Sequence, residues 1–278
     1  MPLNLLHISK DTMKNISKIP QITIAFWIMK ICATTLGETA GDLLAQTLKI
    51  GYAMSSTILL VFFFITLAAQ LFSKKYHPII YWFVILATST AGTTMSDFMD
   101  RTLALGYLTG SLILIILLVA TLTFWKLTEK SLSVTDIKSN RGEIFYWTAI
   151  LFSNTLGTAL GDFLADSSGL GFFGGAILIS SLILVVVLAY YFSKISHVIL
   201  FWSAFILTRP FGATLGDLLT KPTTKGGLNF GTMGSSAILF VILVVLIIVE
   251  IIRLNNNKEK GNNFTSDSLI SSDKSHIL

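Results

Sequence analysis

The sequence predicts an all-α integral membrane protein with eight transmembrane helices, built as a pseudosymmetric bundle from four parallel two-helix repeats. Two observations carry this prediction. Of the 278 residues, 53% are hydrophobic and 13% are charged. The apolar residues form blocks long enough to cross about 30 Å of hydrocarbon. Within these blocks a signature of Trp, Gly and Asp recurs four times.

The signature keeps its internal spacing in every copy. Gly follows Trp by ten residues and Asp follows Trp by fifteen. The copies begin at Trp27, Trp82, Trp147 and Trp202 and end at Asp42, Asp97, Asp162 and Asp217. The first and second halves also correspond at an offset of 120 residues. The chain is therefore a tandem duplication of a unit that is itself duplicated.

Each copy supplies two predicted spans, an odd span that carries the signature and an even span that is almost purely Leu, Ile, Val and Phe. The odd spans are predicted near 21–46, 78–101, 143–166 and 197–220. The even spans are predicted near 52–73, 106–127, 171–193 and 232–253. Every repeat then starts on the same side of the membrane, as in parallel transporter repeats. We expect the odd helices inside, because outside they would expose aspartates to hydrocarbon.

The predicted organisation has five parts. They are a cytoplasmic N-terminal segment (1–20), a first repeat pair with four helices (21–128), a cytoplasmic linker (129–142), a second repeat pair with four helices (143–254) and a polar, disordered cytoplasmic tail (255–278).

The basic residues indicate the orientation of the chain. Fourteen Lys and Arg lie in the termini and in the loops between repeats, whereas the loops within repeats hold only four, namely Lys49, Arg101, Lys221 and Lys225. The positive-inside rule then places both termini in the cytoplasm, in a bacterial inner membrane. The signature aspartates fall toward the outward end. The net charge of +5 thus indicates topology rather than a nucleic-acid partner.

The sequence argues against an enzyme. The single cysteine, Cys32, excludes an intramolecular disulfide and a multi-cysteine zinc site. Nucleophile–base triads, phosphate loops and CxxC pairs are missing from the sequence. We therefore predict no cofactor. The expected partners are the lipid bilayer and a small cation or proton, and the oligomeric state stays open.

The four signature aspartates are the main functional candidates. One aspartate costs about 2.5–3.5 kcal/mol at the centre of a membrane helix, so four at matched depth need a reason. Rings of carboxylates select cations, and protons compete for crowded carboxylates. The predicted metal ligands are the four aspartates and Glu38. The alternative is that the aspartates pair locally at the outer interface, for example Asp97 with Arg101.

Other polar residues in the odd spans are predicted to support this cluster. They are Thr35, Thr90 and Thr155 eight residues after Trp, Thr93 and Thr158 eleven residues after it, and Asn154, Lys30 and Arg209. A lone Thr in a membrane helix usually bonds to a carbonyl of its own helix, so that alternative stays open. Glu38 is able to pair with Lys30 or with Arg209.

The Gly and Trp positions have structural interpretations. The glycines favour close helix packing, and the alternative is an unwound helix whose carbonyls bind an ion. The signature Trp residues and Trp125 are expected to anchor the chain at the cytoplasmic membrane interface.

The signature resembles a family of uncharacterised bacterial membrane-anchored proteins, built of four tandem repeats that each have two transmembrane segments and a characteristic Trp. The resemblance covers roughly residues 20–254 and implies the same repeat fold. A weaker similarity is to manganese and calcium exporters with a Glu-x-Gly-Asp motif. Here Glu38-Thr-Ala-Gly-Asp42 is one residue longer, and the other copies lack the Glu.

Three functional hypotheses follow. The first is a secondary transporter that exports a divalent, manganese-like cation in exchange for protons through the aspartate cluster. The second is a membrane scaffold or sensor without transport. The third is a carrier of small organic anions that uses Lys30 and Arg209.

Overall fold

Eight long helices make up most of the part of the chain that the structure describes. The computed structural model describes residues 18–137 and 139–274, without the side chains of residue 136 and of residues 258–274. The helices are α1 (Ile24–Asp42), α2 (Tyr52–Phe72), α3 (Pro78–Asp97), α4 (Gly106–Glu129), α5 (Asn140–Asp162), α6 (Gly171–Phe192), α7 (His197–Thr220) and α8 (Thr232–Lys274). The boundaries of the signature helices agree with the predicted spans to within a few residues.

The signature helices α1, α3, α5 and α7 form a closed inner ring. Helix α1 packs against α3, α3 against α5, α5 against α7, and α7 returns to α1. The ring therefore follows the order of the repeats. The predicted placement of the signature helices inside is confirmed.

The apolar helices α2, α4, α6 and α8 surround this ring. Each packs on the signature helix of the following repeat: α2 on α3, α4 on α5, α6 on α7, and α8 on α1. The most apolar stretch of α8 is only 11% buried, whereas that of α3 is 72% buried. The outer helices thus present Leu, Ile, Val and Phe side chains outward, as a surface for lipid requires.

Six of the helices within the described residues are long and apolar enough to cross a membrane. Helices α1 and α5 fall outside this set, although both belong to the inner ring. Helix α1 holds Lys30, Glu38 and Asp42 within 19 residues, and all three side chains are buried. The polar residues that lower its hydropathy therefore point into protein.

The signature aspartates lie where the inner helices change their winding. Asp42, Asp97 and Asp162 are each the last residue of an α-helix that passes directly into a π-helical turn. In the fourth repeat the α-helix continues past Asp217 to Thr220, with Pro210 inside it. The fourth copy thus departs from the other three.

Four of the five Trp side chains are buried, which differs from the exposed interfacial position that the sequence predicted, whereas Trp27 is half-buried. Trp82 and Trp147 are fully buried, and Trp125 is 1% exposed. Trp125 packs edge-on against Trp202 at a ring-centroid distance of 5.8 Å. Trp82 and Trp147 thus pack inside the bundle, and Trp125 packs inward from the outer helix α4.

The two chain ends were also assigned from sequence. Residues 1–17 of the predicted N-terminal segment lie outside the described residues. The tail differs from the expected disorder, since α8 continues through its polar sequence to Lys274. The segment contains no proline that would end the helix.

Candidate functional site

Four positions of each signature helix form stacked layers along the ring axis. Counted from Trp they are positions +3, +7, +11 and +15, and all sixteen residues are at most 4% exposed. The layers are Lys30, Ile85, Ile150 and Phe205; Thr34, Ser89, Asn154 and Arg209; Glu38, Thr93, Thr158 and Ala213; and Asp42, Asp97, Asp162 and Asp217. A spacing of four residues keeps these positions on one face of a helix.

The signature glycines bring the inner helices together. A Cβ on Gly92 would lie 3.0 Å from the backbone of Asn154 in the next helix. Each of the other three glycines meets the +7 residue of the next repeat in the same way: Gly37 meets Ser89, Gly157 meets Arg209, and Gly212 meets Thr34. All four lie within continuous α-helix, so close packing is confirmed and the unwound helix is not observed.

Arg209 occupies the centre of the ring and is fully buried. Its Nη2 donates to Glu38 Oε2 at 2.9 Å and to Thr158 Oγ1 at 2.6 Å. It also donates to Thr93 Oγ1 at 2.5 Å. One guanidinium nitrogen therefore contacts the three other repeats. Of the two pairings that the sequence left open for Glu38, the structure has Arg209.

Lys30 lies in the layer next to Arg209 on the side away from the aspartates. Its Nζ donates to Asn154 Oδ1 at 3.3 Å and sits 4.0 Å from the centre of the Phe205 ring. Asn154 in turn donates to Thr88 at 2.9 Å. Lys30 is thus held by an amide and an aromatic face rather than by a carboxylate.

Two basic residues each bridge two aspartates of the aspartate layer. Lys221 Nζ lies 2.6 Å from Asp42 Oδ2 and 3.1 Å from Asp217 Oδ1. It follows α7 directly and so joins the fourth repeat to the first. Although burial lowers the pKa of Lys221, Asp217 and Asp42 raise it above its usual value.

Arg101 makes the equivalent bridge between the second and third repeats. Its Nε lies 2.8 Å from Asp97 Oδ1 and its Nη2 lies 3.1 Å from Asp162 Oδ2. The exposed Asp166 is a third, longer contact at 3.8 Å. Arg101 and Lys221 are 120 residues apart, so the two bridges are related by the twofold repeat of the chain. Local pairing of Asp97 with Arg101, the sequence alternative, is therefore present.

Three carboxylates from three repeats converge above Arg209. Glu38, Asp162 and Asp217 each offer an oxygen atom, and these atoms lie within 4.8 Å of one another. All three side chains are buried. This is the group of described residues best suited to hold a metal ion. Asp42 and Asp97 complete the layer but lie outside the group.

The axial carboxylates, defined as the four signature aspartates and Glu38, outnumber their bases. Arg101, Arg209 and Lys221 are the bases in ion-pair contact with them. Every one of the five carboxylates contacts a base, but five carboxylates and three bases leave an excess of two formal negative charges. The axial carboxylates and their bases thus carry a net negative charge that favours binding of a cation.

The predicted threonines divide into two sets. Thr93 and Thr158 at position +11 contact Arg209, and Thr93 also donates to Glu38 at 3.3 Å. The position +8 threonines instead bond to carbonyls of their own helices, at 2.9 Å for Thr35, 3.1 Å for Thr90 and 2.9 Å for Thr155. These three lie beside the axis, because the axial face contains +7 rather than +8.

Sequence reasoning did not assign Arg101 and Lys221 to the site. Both counted as loop charges that indicate topology, and Arg101 was named in addition only as a local partner of Asp97. A signal was present, because position +19 after Trp is Gln46, Arg101, Asp166 and Lys221 in the four copies. A base occupies that position in the second and fourth copies only. Each base lies four residues, about one helical turn, after the signature aspartate of its own copy.

These features define a class of helical proteins with four two-helix repeats around a charged, buried axis. The chain belongs to the family described as a repeat of unknown function (DUF347), whose model matches four times, at residues 25–76, 80–131, 145–196 and 200–253. Each match contains one Trp-Gly-Asp signature. Among curated proteins and among solved structures, nothing matches the chain.

Proposed function

We propose that the protein is a secondary membrane transporter for a cation, most consistent with a divalent, manganese-like ion that is exported in exchange for protons. The observation that carries this proposal is the convergence of Glu38, Asp162 and Asp217, whose oxygen atoms lie within 4.8 Å. Three carboxylates from three repeats meet on one axis. Such an arrangement is how cation pathways select positive charge.

The charge balance supports a divalent ion. The five axial carboxylates exceed the three bases that contact them by two formal negative charges. One divalent cation neutralises them, and so do two protons. Buried charges require such compensation, since an unpaired carboxylate in a low-dielectric interior is costly. Cation and protons would therefore compete for the same oxygens and couple their movements.

The ligand chemistry supports a hard ion. Carboxylate and hydroxyl oxygens suit Mg²⁺ and Mn²⁺, whereas copper prefers imidazole and sulfur ligands. The site combines the three carboxylates with the hydroxyls of Thr93 and Thr158, which lie in the same layer as Glu38. No cysteine or histidine belongs to these described layers.

All eight helices are proposed to span the inner membrane, with both termini in the cytoplasm. Helices α1 and α5 occupy the same ring positions as α3 and α7, and the outer helices shield them. The excess of Lys and Arg in the loops between repeats supports this orientation. The aspartate layer then faces outward.

Transport is testable with purified protein in proteoliposomes that contain a manganese-sensitive dye. Wild type is expected to move Mn²⁺ along an imposed proton gradient, and Asp162→Asn is expected to abolish the flux. Asp166→Asn is the matched control, since it makes the same change four residues away on an exposed side chain. Flux in folded Asp162→Asn equal to that of wild type, or wild type without flux, would overturn the proposal.

One observation favours a carrier of small organic anions as a second candidate. Arg209 Nε and Nη1 are buried and have no hydrogen-bond partner among the described residues. Acceptor groups of an anionic substrate would satisfy these two donors through charge-assisted hydrogen bonds. Uptake of a radiolabelled dicarboxylate that depends on Arg209, together with absent Mn²⁺ flux, would favour this candidate. If the folded protein transports neither Mn²⁺ nor the dicarboxylate, the remaining hypothesis is a membrane scaffold or sensor without transport.

A further inference from the structure

We propose that Lys221 and Arg101 are tethered counter-ions that occupy the aspartate pairs in the cation-free state, and that the arriving cation displaces them. They would then set the affinity of the site for its cation. The inference rests on the proposed cation transport and goes beyond it, because it assigns the competitor that the cation must replace. Ion pairs break and form in this exchange, and no covalent bond changes.

The bridging geometry carries the first step. Each base contacts two aspartates of adjacent repeats, with N–O distances between 2.6 and 3.1 Å. A surface salt bridge needs only one carboxylate. Each base thus holds one aspartate of the proposed cation site, Asp162 for Arg101 and Asp217 for Lys221, together with an aspartate outside that site.

The second argument is that the two bases are more exposed than the aspartates that they contact. The side chain of Lys221 is 21% exposed and that of Arg101 is 36% exposed. Their aspartate partners are 2–6% exposed. The two bases therefore lie between the aspartates and the outside of the bundle. A cation that arrives from this end meets the bases before it meets the carboxylates.

The local backbone allows the Lys221 side chain to leave while its main chain stays in place. The carbonyl of Lys221 accepts a hydrogen bond from Asn229 N at 3.0 Å. Leu228 N also donates to Leu218 O at 2.7 Å, which ties the loop to the end of α7. Release is then a rotation about the flexible lysine side chain. Arg101 lies on the π-helical turn Phe98–Thr102, and its guanidinium also lies over the Tyr107 ring at 5.9 Å.

The twofold repeat argues that this is a device of the fold rather than an isolated contact. Arg101 and Lys221 are 120 residues apart, and so are Asp97 and Asp217. The same position in the first and third repeats holds Gln46 and Asp166. One base thus serves two aspartates in each half of the chain.

The central test measures the reactivity of Lys221 in the wild-type protein, which avoids any folding defect. The purified protein is treated with an amine-acetylating reagent while Mn²⁺ is titrated, and modification is quantified by mass spectrometry. Lys221 is expected to react faster as Mn²⁺ binds. The internal control is Lys225, in the short turn Thr223–Lys225 of the same loop, whose reactivity should not change. Unchanged Lys221 reactivity at saturating Mn²⁺ would overturn the displacement.

A second measurement compares the Mn²⁺ affinity of Lys221→Gln with that of Lys225→Gln. Removal of the competitor should tighten binding by a factor within the range of about 5–150 that is typical of coupled sites. The Lys225→Gln variant should bind like wild type. Equal or weaker binding by folded Lys221→Gln would contradict the inference, even if transport is confirmed. If neither wild type nor Lys221→Gln binds Mn²⁺, the cation-transport proposal itself fails.

Discussion

Glu38 and Arg209 lie 171 residues apart and form an ion pair of 2.9 Å at the centre of the inner ring. Arg209 is fully buried and Glu38 is 3% exposed. The pair joins the first repeat to the fourth, at the point where the ring closes. Both residues are exceptions to the repeat, because no other copy has an acid at +11 or a base at +7.

We predict that breaking this pair destabilises the protein more than removing it altogether. Glu38→Leu or Arg209→Leu leaves a buried charge without its partner, which costs about 3–5 kcal/mol. The double variant Glu38→Leu/Arg209→Leu is expected to cost less than the sum of the single variants. Unfolding in detergent measures these free energies. Additive effects in the double-mutant cycle would contradict the coupling.

The signature glycines are predicted to tolerate no side chain. In Gly157→Ala the new Cβ would lie 2.9 Å from Pro210 Cδ and would also clash with Arg209. Such overpacking costs about 1–3 kcal/mol. The control is Gly234→Ala in α8, where a Cβ meets nothing within 4 Å. A helical Gly-to-Ala change there should be neutral or stabilise by up to about 1 kcal/mol, and equal effects of both changes would contradict the packing account.

Glu250 is predicted to fix α8 to the inner ring. Its carboxylate accepts from Trp82 Nε1 at 2.9 Å and from Tyr76 Oη at 2.8 Å. Hydrogen bonds to a charged group contribute about 1.5–3 kcal/mol. Glu250→Ala should lower the free energy of unfolding by that order, and a cycle with Trp82→Phe should show coupling. Independent effects of the two changes would show that this contact does not hold α8.

The bridge of Lys221 should persist to alkaline pH. Asp217 and Asp42 raise its pKa in the folded protein, against the effect of burial. The stability it contributes is then fully present below the unfolded pKa of about 10.4 and is lost as pH rises through the folded value. The difference in unfolding free energy between wild type and Lys221→Gln should stay constant from neutral pH to about pH 10. A decline of this difference between pH 7 and 9 would contradict the raised pKa.

Much of the fold was predictable because the constant spacing of Trp, Gly and Asp identifies the four repeats. The odd helices lie inside, as the cost of aspartate in hydrocarbon required. The position of Trp82 was not predictable in this way, since Trp is also favoured at interfaces and only the outer helices determine its burial. Whether position +7 or position +8 after Trp faces the ring axis depends on how the helices cross, and the spacing of the residues alone does not specify this.

The candidate site was predictable only in part. The aspartates stood out, because four buried carboxylates at one depth are unusual. Their neutralisation by Arg101 and Lys221 depends on which repeats are neighbours in the ring, which the alternating residues at position +19 indicate only once that order is known. The pairing of Glu38 with Arg209 likewise depends on ring closure between the first and last repeats.

The most direct test of the cation site is an electron paramagnetic resonance titration of Mn²⁺ with the purified protein. Wild type should bind one Mn²⁺ per chain with saturation. Glu38→Gln, Asp162→Asn and Asp217→Asn should each lose this binding while remaining folded, and Asp166→Asn should retain it. The account would be contradicted if wild type shows no saturable Mn²⁺ binding, or if binding persists unchanged in all three carboxylate variants.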